Sequence, residues 1–333
     1  MTIVVAASRP TRNPLRSPET LARSFFAQHP FFSGVLLMLA ATSLWALAYA
    51  APLAIPDASA LEIGLGRFIV YGLISLFAFN PMRLLTMPGH LLRRALLYAL
   101  FGNVVYYVLL IFGMKWANAA IAVLILGMLP VTISLFGQLT QGRAGFWPLA
   151  VPLTVFSAGV LIFNFDHVEF SQASRPYGGL GLAAIVGCLL MWTWYAIDNA
   201  RFLRETTLVT ASQWSSVIGI VSLGIALIAL PMSWGLGLAR DPTTLSLSEL
   251  SEIAVWSILL GAGATWLGTT LFNLASRLLA TPILGQLILF EVFFGLIYVF
   301  VLTGKGVGPF AVLGSIIALL GLWLSVRALQ IRK

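Results

Sequence analysis

The sequence predicts an all-α integral membrane protein with ten transmembrane helices, arranged as two five-helix repeats of inverted topology around a central cavity. Three observations indicate this fold class. Of the 333 residues, 59% are hydrophobic and only 9% are charged, whereas soluble domains carry about 25% charged residues. Ten apolar runs are each long enough for a membrane-spanning helix of about 20 residues. The order of features in the first five runs recurs in the last five.

The apolar runs are separated by polar connections that contain helix-breaking residues and many of the charges. At the ninth run, Thr281 and Pro282 supply a hydroxyl N-cap and a proline at the first helical position, which favours helix initiation there. The predicted spans are 32–51, 61–80, 92–112, 117–138, 147–164, 178–198, 209–231, 252–273, 281–301 and 308–328.

Residues 1–30 differ from the rest of the chain because they are rich in Arg, Pro, Ser and Thr. They lack a compact apolar region with a small-residue cleavage site, so we interpret them as a disordered cytoplasmic tail, with a transit peptide as the alternative. If the N-terminus is cytoplasmic, most Lys and Arg residues outside the spans fall on the cytoplasmic side, as the positive-inside rule requires. An even number of spans then returns the C-terminus to the cytoplasm.

Two regions, 31–165 and 176–330, are predicted as the five-helix repeats. When the fourth and fifth spans are aligned with the ninth and tenth, Pro130 corresponds to Glu291. Because five is an odd number, the second repeat must be inverted in the membrane relative to the first. Inverted repeats are a common plan of secondary transporters, in which the substrate site lies near the midplane between the halves.

The sequence resembles the drug/metabolite transporter superfamily, in its EamA-type branch, over roughly residues 32–328. Besides the ten spans in two halves, the matching features are Trp45 and Trp192 in the first and sixth spans, Arg67-Phe68, Pro130, the segments WYAIDNARFL and TLVTAS, and Glu291. The resemblance implies a cavity lined mainly by the first, third, fourth, sixth, eighth and ninth helices. It also implies export of small metabolites, amino acids among them.

The chain departs from the family pattern at two kinds of position. The family often has Glu-Pro-Val in its ninth helix, and this chain has Glu291-Val292-Phe293. The family often ends its fourth and ninth helices with Gly-Glu, and this chain has Gly142-Arg143 and Gly304-Lys305 instead. The sequence is therefore a divergent member of the pattern it resembles.

Polar and aromatic side chains inside the spans are the candidate substrate contacts, since polar groups in lipid are costly and usually face a cavity or a partner. Each has a structural alternative, because Trp and Tyr often form interfacial belts and Ser and Thr often bond within helices. The cavity candidates are Trp45, Tyr49, Asn103, Tyr106, Tyr107, Trp192, Tyr195, Thr265, Thr269, Gln286 and Glu291.

Glu291 lies near the middle of the ninth span, where an ionised acid is costly. We hypothesise that it faces the cavity and either binds a cationic substrate group or carries the coupling proton. The alternative is a protonated glutamate bonded to a backbone carbonyl that a helix distortion has freed. Pro130 and Arg67 are assigned structural roles, with Arg67 extending outward along its aliphatic stem.

The sequence predicts a secondary transporter of the plasma or inner membrane that exports amino-acid-like or amphiphilic metabolites by alternating access. A lipid flippase or scramblase of the same fold is the alternative. No enzyme activity, metal or cofactor is expected, since the chain has no P-loop, HExxH or GxSxG motif, and proton coupling remains open. The predicted partners are a small-molecule substrate and membrane lipids. The scattered basic residues argue against nucleic acid, and a homodimer is an open alternative.

Overall fold

The computed structural model describes residues 29–117, 119–140, 147–163, 177–304 and 308–330. Within these ranges the chain forms helices and no strands, which confirms the all-α class. The helices are α1 (Pro30–Ala54), α2 (Ala60–Ala78), α3 (Gly89–Trp116), α4 (Ala119–Leu126 and Leu129–Thr140), α5 (Trp147–Phe163), α6 (Gly178–Glu205), α7 (Ala211–Gly235), α8 (Leu247–Leu278), α9 (Thr281–Leu287 and Leu289–Thr303) and α10 (Pro309–Gln330). Short helical turns occur at Met82–Leu85 and Pro242–Thr244.

By length and apolar composition, seven of the described helices could cross a membrane, namely α1, α2, α3, α6, α7, α8 and α9. The apolar stretches of α5 and α10, Trp147–Phe163 and Pro309–Ser325, are shorter, and α4 is divided into two pieces. The structure therefore confirms a helical chain with several membrane-compatible helices, and ten spans in two repeats stay a prediction. The predicted tail lies almost entirely outside the described residues, as do the connections 141–146 and 164–176.

The same start signal begins α2 and α7, which are the second helices of the two predicted repeats. At α2 the Glu62 backbone N–H donates to the Ser59 hydroxyl (3.1 Å), and the Ser59 N–H donates to the Glu62 carboxylate (2.9 Å). Thr210 and Gln213 form the same reciprocal capping box at α7. Each box satisfies two backbone donors that the first helical turn leaves unpaired.

Wide π-helical turns interrupt α3 and α8, the third helices of the two predicted repeats. The π segments are Ala99–Val104 in α3 and Leu259–Leu267 in α8. Inside the second segment, the Thr265 hydroxyl donates to the Leu260 carbonyl over 2.9 Å. Such turns are rare and frequently occur at functional sites.

The fourth and ninth helices are both broken. α4 is interrupted between Leu126 and Leu129, and α9 is interrupted at Ile288. Pro130 is the second residue of the second piece of α4, where a helix needs no N–H donor from it. No proline lies at the break in α9. Three residues before that break, Gly285 makes a close contact with Ile133 on α4. A Cβ at Gly285 would lie 2.6 Å from an Ile133 methyl carbon.

Helix packing follows a regular pattern. α5 packs closely on α10, since a Cβ at Gly159 would lie 2.3 Å from the Ala318 backbone nitrogen and one at Gly314 would lie 2.3 Å from that of Phe163. The extensively packed pairs include α5 with α10, α2 with α7, α4 with α9, α1 with α8, and α3 with α6. If each helix of the first predicted repeat is exchanged with its counterpart in the second, so that α1 is exchanged with α6 and α2 with α7, the same set of packed pairs results.

The largest buried cluster lies toward one side of the molecule, which we call the N side because α1 begins there. Its members include Met38 early in α1, Tyr98 early in α3, Trp214 early in α7 and Leu279 after α8. Smaller clusters occupy the opposite side, which we call the far side. The N side is therefore the more densely packed side of the described structure.

Candidate functional site

Glu291 lies three residues after the break in α9, and its N–H donates to the Ile288 carbonyl over 2.9 Å. Its half-buried carboxylate makes no hydrogen bond or ion pair with the described residues. It interacts electrostatically with Arg67, Tyr49 and Tyr106, which belong to α2, α1 and α3. The carbonyl bond that the structural alternative requires is therefore absent from the described part of the chain.

Arg67 lies among aromatic rings. Its guanidinium carbon is 4.7 Å from the centroid of the Phe68 ring and 5.0 Å from that of Tyr107. The Arg67 Nε atom is buried and has no hydrogen-bond partner in the described part of the chain. Two ring faces thus accommodate the cation locally, and the expectation that the side chain extends outward in the membrane stays a prediction.

Two tyrosines complete the surroundings of Glu291. Tyr49 is 41% exposed, and its ring lies against Gly295, one turn after Glu291. Tyr106 is half-buried, and its backbone carbonyl accepts a hydrogen bond from the Cys188 thiol over 3.3 Å. We call the set Glu291, Arg67, Tyr49, Tyr106 and Tyr107 the Glu291 cluster. It joins side chains from α1, α2, α3 and α9.

A second group of rings brings together candidates from both predicted repeats. Trp45 and Trp192, which correspond in the sequence alignment, meet edge to face with centroids 5.8 Å apart. Phe272 lies 5.4 Å from Trp45, and Tyr195 lies 5.8 Å from Trp192. We call Trp45, Trp192, Tyr195 and Phe272 the aromatic cluster. Sequence reasoning missed Phe272, since a phenylalanine in an apolar span carries no distinguishing signal.

Three other candidates are used in helix contacts or lie buried. The Asn103 amide in the α3 π segment donates to the Ser222 hydroxyl on α7 over 3.2 Å. Thr265 bonds within its own helix, and Thr269 is only 8% exposed. These contacts are those expected of polar residues that stabilise helix packing.

Gln286 is the most unusual of the predicted site residues. It is fully buried, and neither its Nε2 nor its Oε1 atom has a hydrogen-bond partner among the residues that the structure describes. It lies in the first piece of α9, which packs on α4. A buried amide without partners is uncommon in native structures and calls for an explanation.

The N side is joined by polar contacts that sequence reasoning did not identify. The Asn199 amide donates to Asn273 over 2.8 Å, and the Trp214 indole N–H donates to Asn199 over 3.0 Å. The Tyr98 hydroxyl donates to Asp198 over 2.8 Å. The adjacent Asp198 and Asn199 near the end of α6 were the available sequence signal. These bonds connect α3, α6, α7 and α8 on the densely packed side.

Arg204 strengthens the same region from the end of α6. Its guanidinium donates to the Ser276 carbonyl over 3.1 Å and to the Thr281 hydroxyl over 2.8 Å. It therefore holds the end of α8 and the start of α9 together. We call the contacts of Tyr98, Asp198, Asn199, Trp214, Asn273 and Arg204 the N-side network.

Comparison with known proteins finds relatives over most of the chain. No protein-family model matches it. It is 29% identical over 309 residues to "Inner membrane protein YtfF" of Escherichia coli strain K12, covering 89% of this chain and 95% of that protein. It is 28% identical over 222 residues to "Uncharacterized transporter YdeK" of Bacillus subtilis strain 168, covering 64% of this chain and 69% of that protein. A solved crystal structure with 16% identity, covering 90% of this chain and 99% of that one, has a TM-score of 0.70 and thus a similar fold.

Proposed function

We propose that this protein is a secondary transporter of the inner membrane that exports small organic metabolites, amino-acid-like or amphiphilic, by alternating access. Similarity to one protein named for the inner membrane and another named a transporter supports membrane transport in general. The drug/metabolite transporter superfamily, in its EamA-type branch, is the family we propose for it. Both termini are proposed to lie in the cytoplasm.

The observation that carries the proposal is the state of Glu291. Its carboxylate follows a helix break, and it lies near a cation and two tyrosines without bonding to the described residues. Broken helices often form the midplane sites of secondary transporters. A half-buried carboxylate without a partner among the described residues is suited to bind a cationic substrate group or to carry a coupling proton.

Alternating access is supported by the packing of the two predicted repeats. Their capping boxes, π segments and helix breaks occur in equivalent helices, and the packed pairs are unchanged when the halves are exchanged. Two equivalent halves can rock against each other around a site between them. The N-side network and the dense N-side core support an assignment of this conformation as closed toward the N side.

A counterflow experiment tests the proposed activity. The purified full chain is reconstituted in liposomes loaded with single amino acids or cationic amphiphiles, and entry of the labelled compound is measured. Exchange is expected for wild type and is expected to be lost or uncoupled from pH in Glu291→Gln. Glu252→Gln, at an exposed acid on α8, is the matched control and should exchange normally.

The lipid-transport alternative is tested in the same vesicles. Movement of a fluorescent phospholipid between leaflets, without exchange of any soluble compound, would contradict metabolite transport and indicate a flippase or scramblase. Wild-type exchange by Glu291→Gln, with unchanged pH dependence, would instead contradict only the role of Glu291.

A further inference from the structure

A basic pocket lies on the N side, apart from the Glu291 cluster. It forms between the start of α3 and the end of α6 and has a volume of about 290 Å³. The residues that line it are His90, Arg93, Arg94, Leu97, Trp194 and Asp198. Two of these side chains are arginines, one is a histidine, and one is acidic.

The single acid leaves the pocket with excess positive charge. Asp198 pairs with Arg94 over 3.5 Å and also accepts the Tyr98 hydroxyl. Arg93 and His90 make no ion pair or side-chain hydrogen bond with the residues that the structure describes. An arginine without an acidic partner, beside a second arginine, favours an anionic ligand, and guanidinium geometry matches a phosphate group well.

Helix length puts this pocket at the level of lipid headgroups. α3 and α6 each have 28 residues, so each is about 42 Å long, whereas the hydrocarbon core is about 30 Å thick. The surplus of about 12 Å places turns at the helix ends in the interfacial layer. The charged Arg93, Arg94 and Asp198 favour that layer for the start of α3 and the end of α6. Arg93 lies in the second turn of α3, and Asp198 lies two turns before the end of α6.

The apolar wall of the pocket continues toward lipid. The Trp194 ring is 39% exposed and packs against Phe101, with centroids 5.7 Å apart. Leu190, one turn earlier on α6, is 55% exposed. An indole at this level, followed by an exposed leucine, is typical of the membrane interface and offers a surface for an acyl chain.

We propose that this pocket binds the phosphate of an anionic phospholipid, with Arg93 and Arg94 on the phosphate and the acyl chain along Trp194 and Leu190. This site is distinct from the proposed transport site. Basic pockets between membrane helices are suited to acidic lipid headgroups. With the N side in the cytoplasm, as proposed above, the negative charge of that leaflet favours the same ligand. The exposed apolar surface beside the two arginines favours a phospholipid over free phosphate, because only the phospholipid has an acyl chain to place on it.

Native mass spectrometry of the full chain in neutral detergent tests the site. Phosphatidylglycerol is expected to bind more tightly than phosphatidylcholine with the same acyl chains. Arg93→Gln should weaken phosphatidylglycerol binding about fivefold, the effect of one cation near an anionic headgroup. It should weaken phosphatidylcholine binding less, because the choline cation already offsets the charge of that lipid's phosphate. Arg83→Gln is the control, because Arg83 is exposed and lies outside the pocket lining.

Three results would overturn the proposal. One is equal binding of the two lipids by wild type, and another is unchanged phosphatidylglycerol binding by Arg93→Gln. The third is full displacement of the lipid by inorganic phosphate, which would indicate a site for soluble anions. Because Arg93 is exposed, its variant is expected to fold, and an unchanged gel-filtration profile checks this directly.

Discussion

Glu291 and Arg67 influence each other electrostatically but form no ion pair within 4.0 Å. They belong to α9 and α2, and the Arg67 guanidinium lies over the rings of Phe68 and Tyr107. The two opposite charges are thus near each other, and neither neutralises the other directly. A substrate that carries both charges, as an amino acid does, could interact with the two groups at once.

Neutralising Arg67 should therefore affect substrate recognition. We expect Arg67→Gln to weaken the apparent affinity for a zwitterionic substrate about tenfold, since one charge-assisted hydrogen bond is removed. Arg67→Lys keeps the charge but loses the planar stacking on the two rings, so an intermediate effect is expected. Concentration-dependent counterflow measures both. Lower thermal stability with an unchanged apparent affinity would show that Arg67 is only structural.

Hydropathy located the helices but did not always locate their ends. For α2 the predicted span 61–80 and the observed Ala60–Ala78 nearly coincide. α6 continues to Glu205, beyond its predicted end at 198. Apolar sequence reports the part of a helix that lies in lipid, whereas backbone hydrogen bonds continue the helix into the polar interface.

The sequence indicated which types of residue form the candidate site, but it did not indicate how those residues are arranged. An acid in an apolar span identified Glu291 as a candidate. The break at Ile288 was not predictable, because no proline accompanies it and close packing of Gly285 on α4 adjoins it. The N-side network was missed, since long-range pairs such as Asn199 and Asn273 depend on how helices pack.

The contact between α5 and α10 should tolerate no added side-chain carbon. At Gly159 a Cβ would lie 2.3 Å from the Ala318 backbone nitrogen, and backbone atoms cannot rotate away as a side chain can. We expect Gly159→Ala to destabilise the protein by about 2 kcal/mol through overpacking. Gly224→Ala in α7 is the control, because nothing lies within 4 Å of its Cβ position. Apparent melting temperatures in detergent distinguish the two, and equal values would contradict the described packing.

On the far side, Arg240 forms ion pairs with two glutamates. Its guanidinium donates to Glu62 over 2.9 Å and to Glu249 over 2.8 Å, which joins the starts of α2 and α8. The hydrogen bond to Glu62 is the main cause that raises the pKa of Arg240, so the cation persists throughout the physiological pH range.

Removing that cation should destabilise the far side. Glu62 is only 6% exposed, and Arg240→Gln would leave its charge without its partner, at a cost of about 2 kcal/mol or more. Arg201→Gln breaks an exposed pair with Glu205 one turn away and should change little. Thermal unfolding in detergent compares the two variants. A loss no larger for Arg240→Gln than for Arg201→Gln would contradict the structural role of the far-side pair.

We expect the buried amide of Gln286 to lower the stability of this conformation and to assist transport. Its amide is fully buried, and in this conformation neither polar atom has a partner within the described ranges. An orphaned buried polar group costs about 1–3 kcal/mol. Because Gln286 lies in the first piece of α9, beside the break that precedes Glu291, we expect its amide to find partners when the N side opens.

Gln286→Leu should therefore raise the apparent melting temperature, since leucine fills similar space without the polar penalty. The same change should slow counterflow, because the conformation that is open to the N side would lose the hydrogen bonds that the Gln286 amide is expected to make there. Gln213→Leu is the opposite case, since that glutamine caps α7, and it should lower stability. A more stable Gln286→Leu variant with wild-type transport would show that the amide serves no second conformation. A less stable one would show that the amide is already satisfied when the N side is closed.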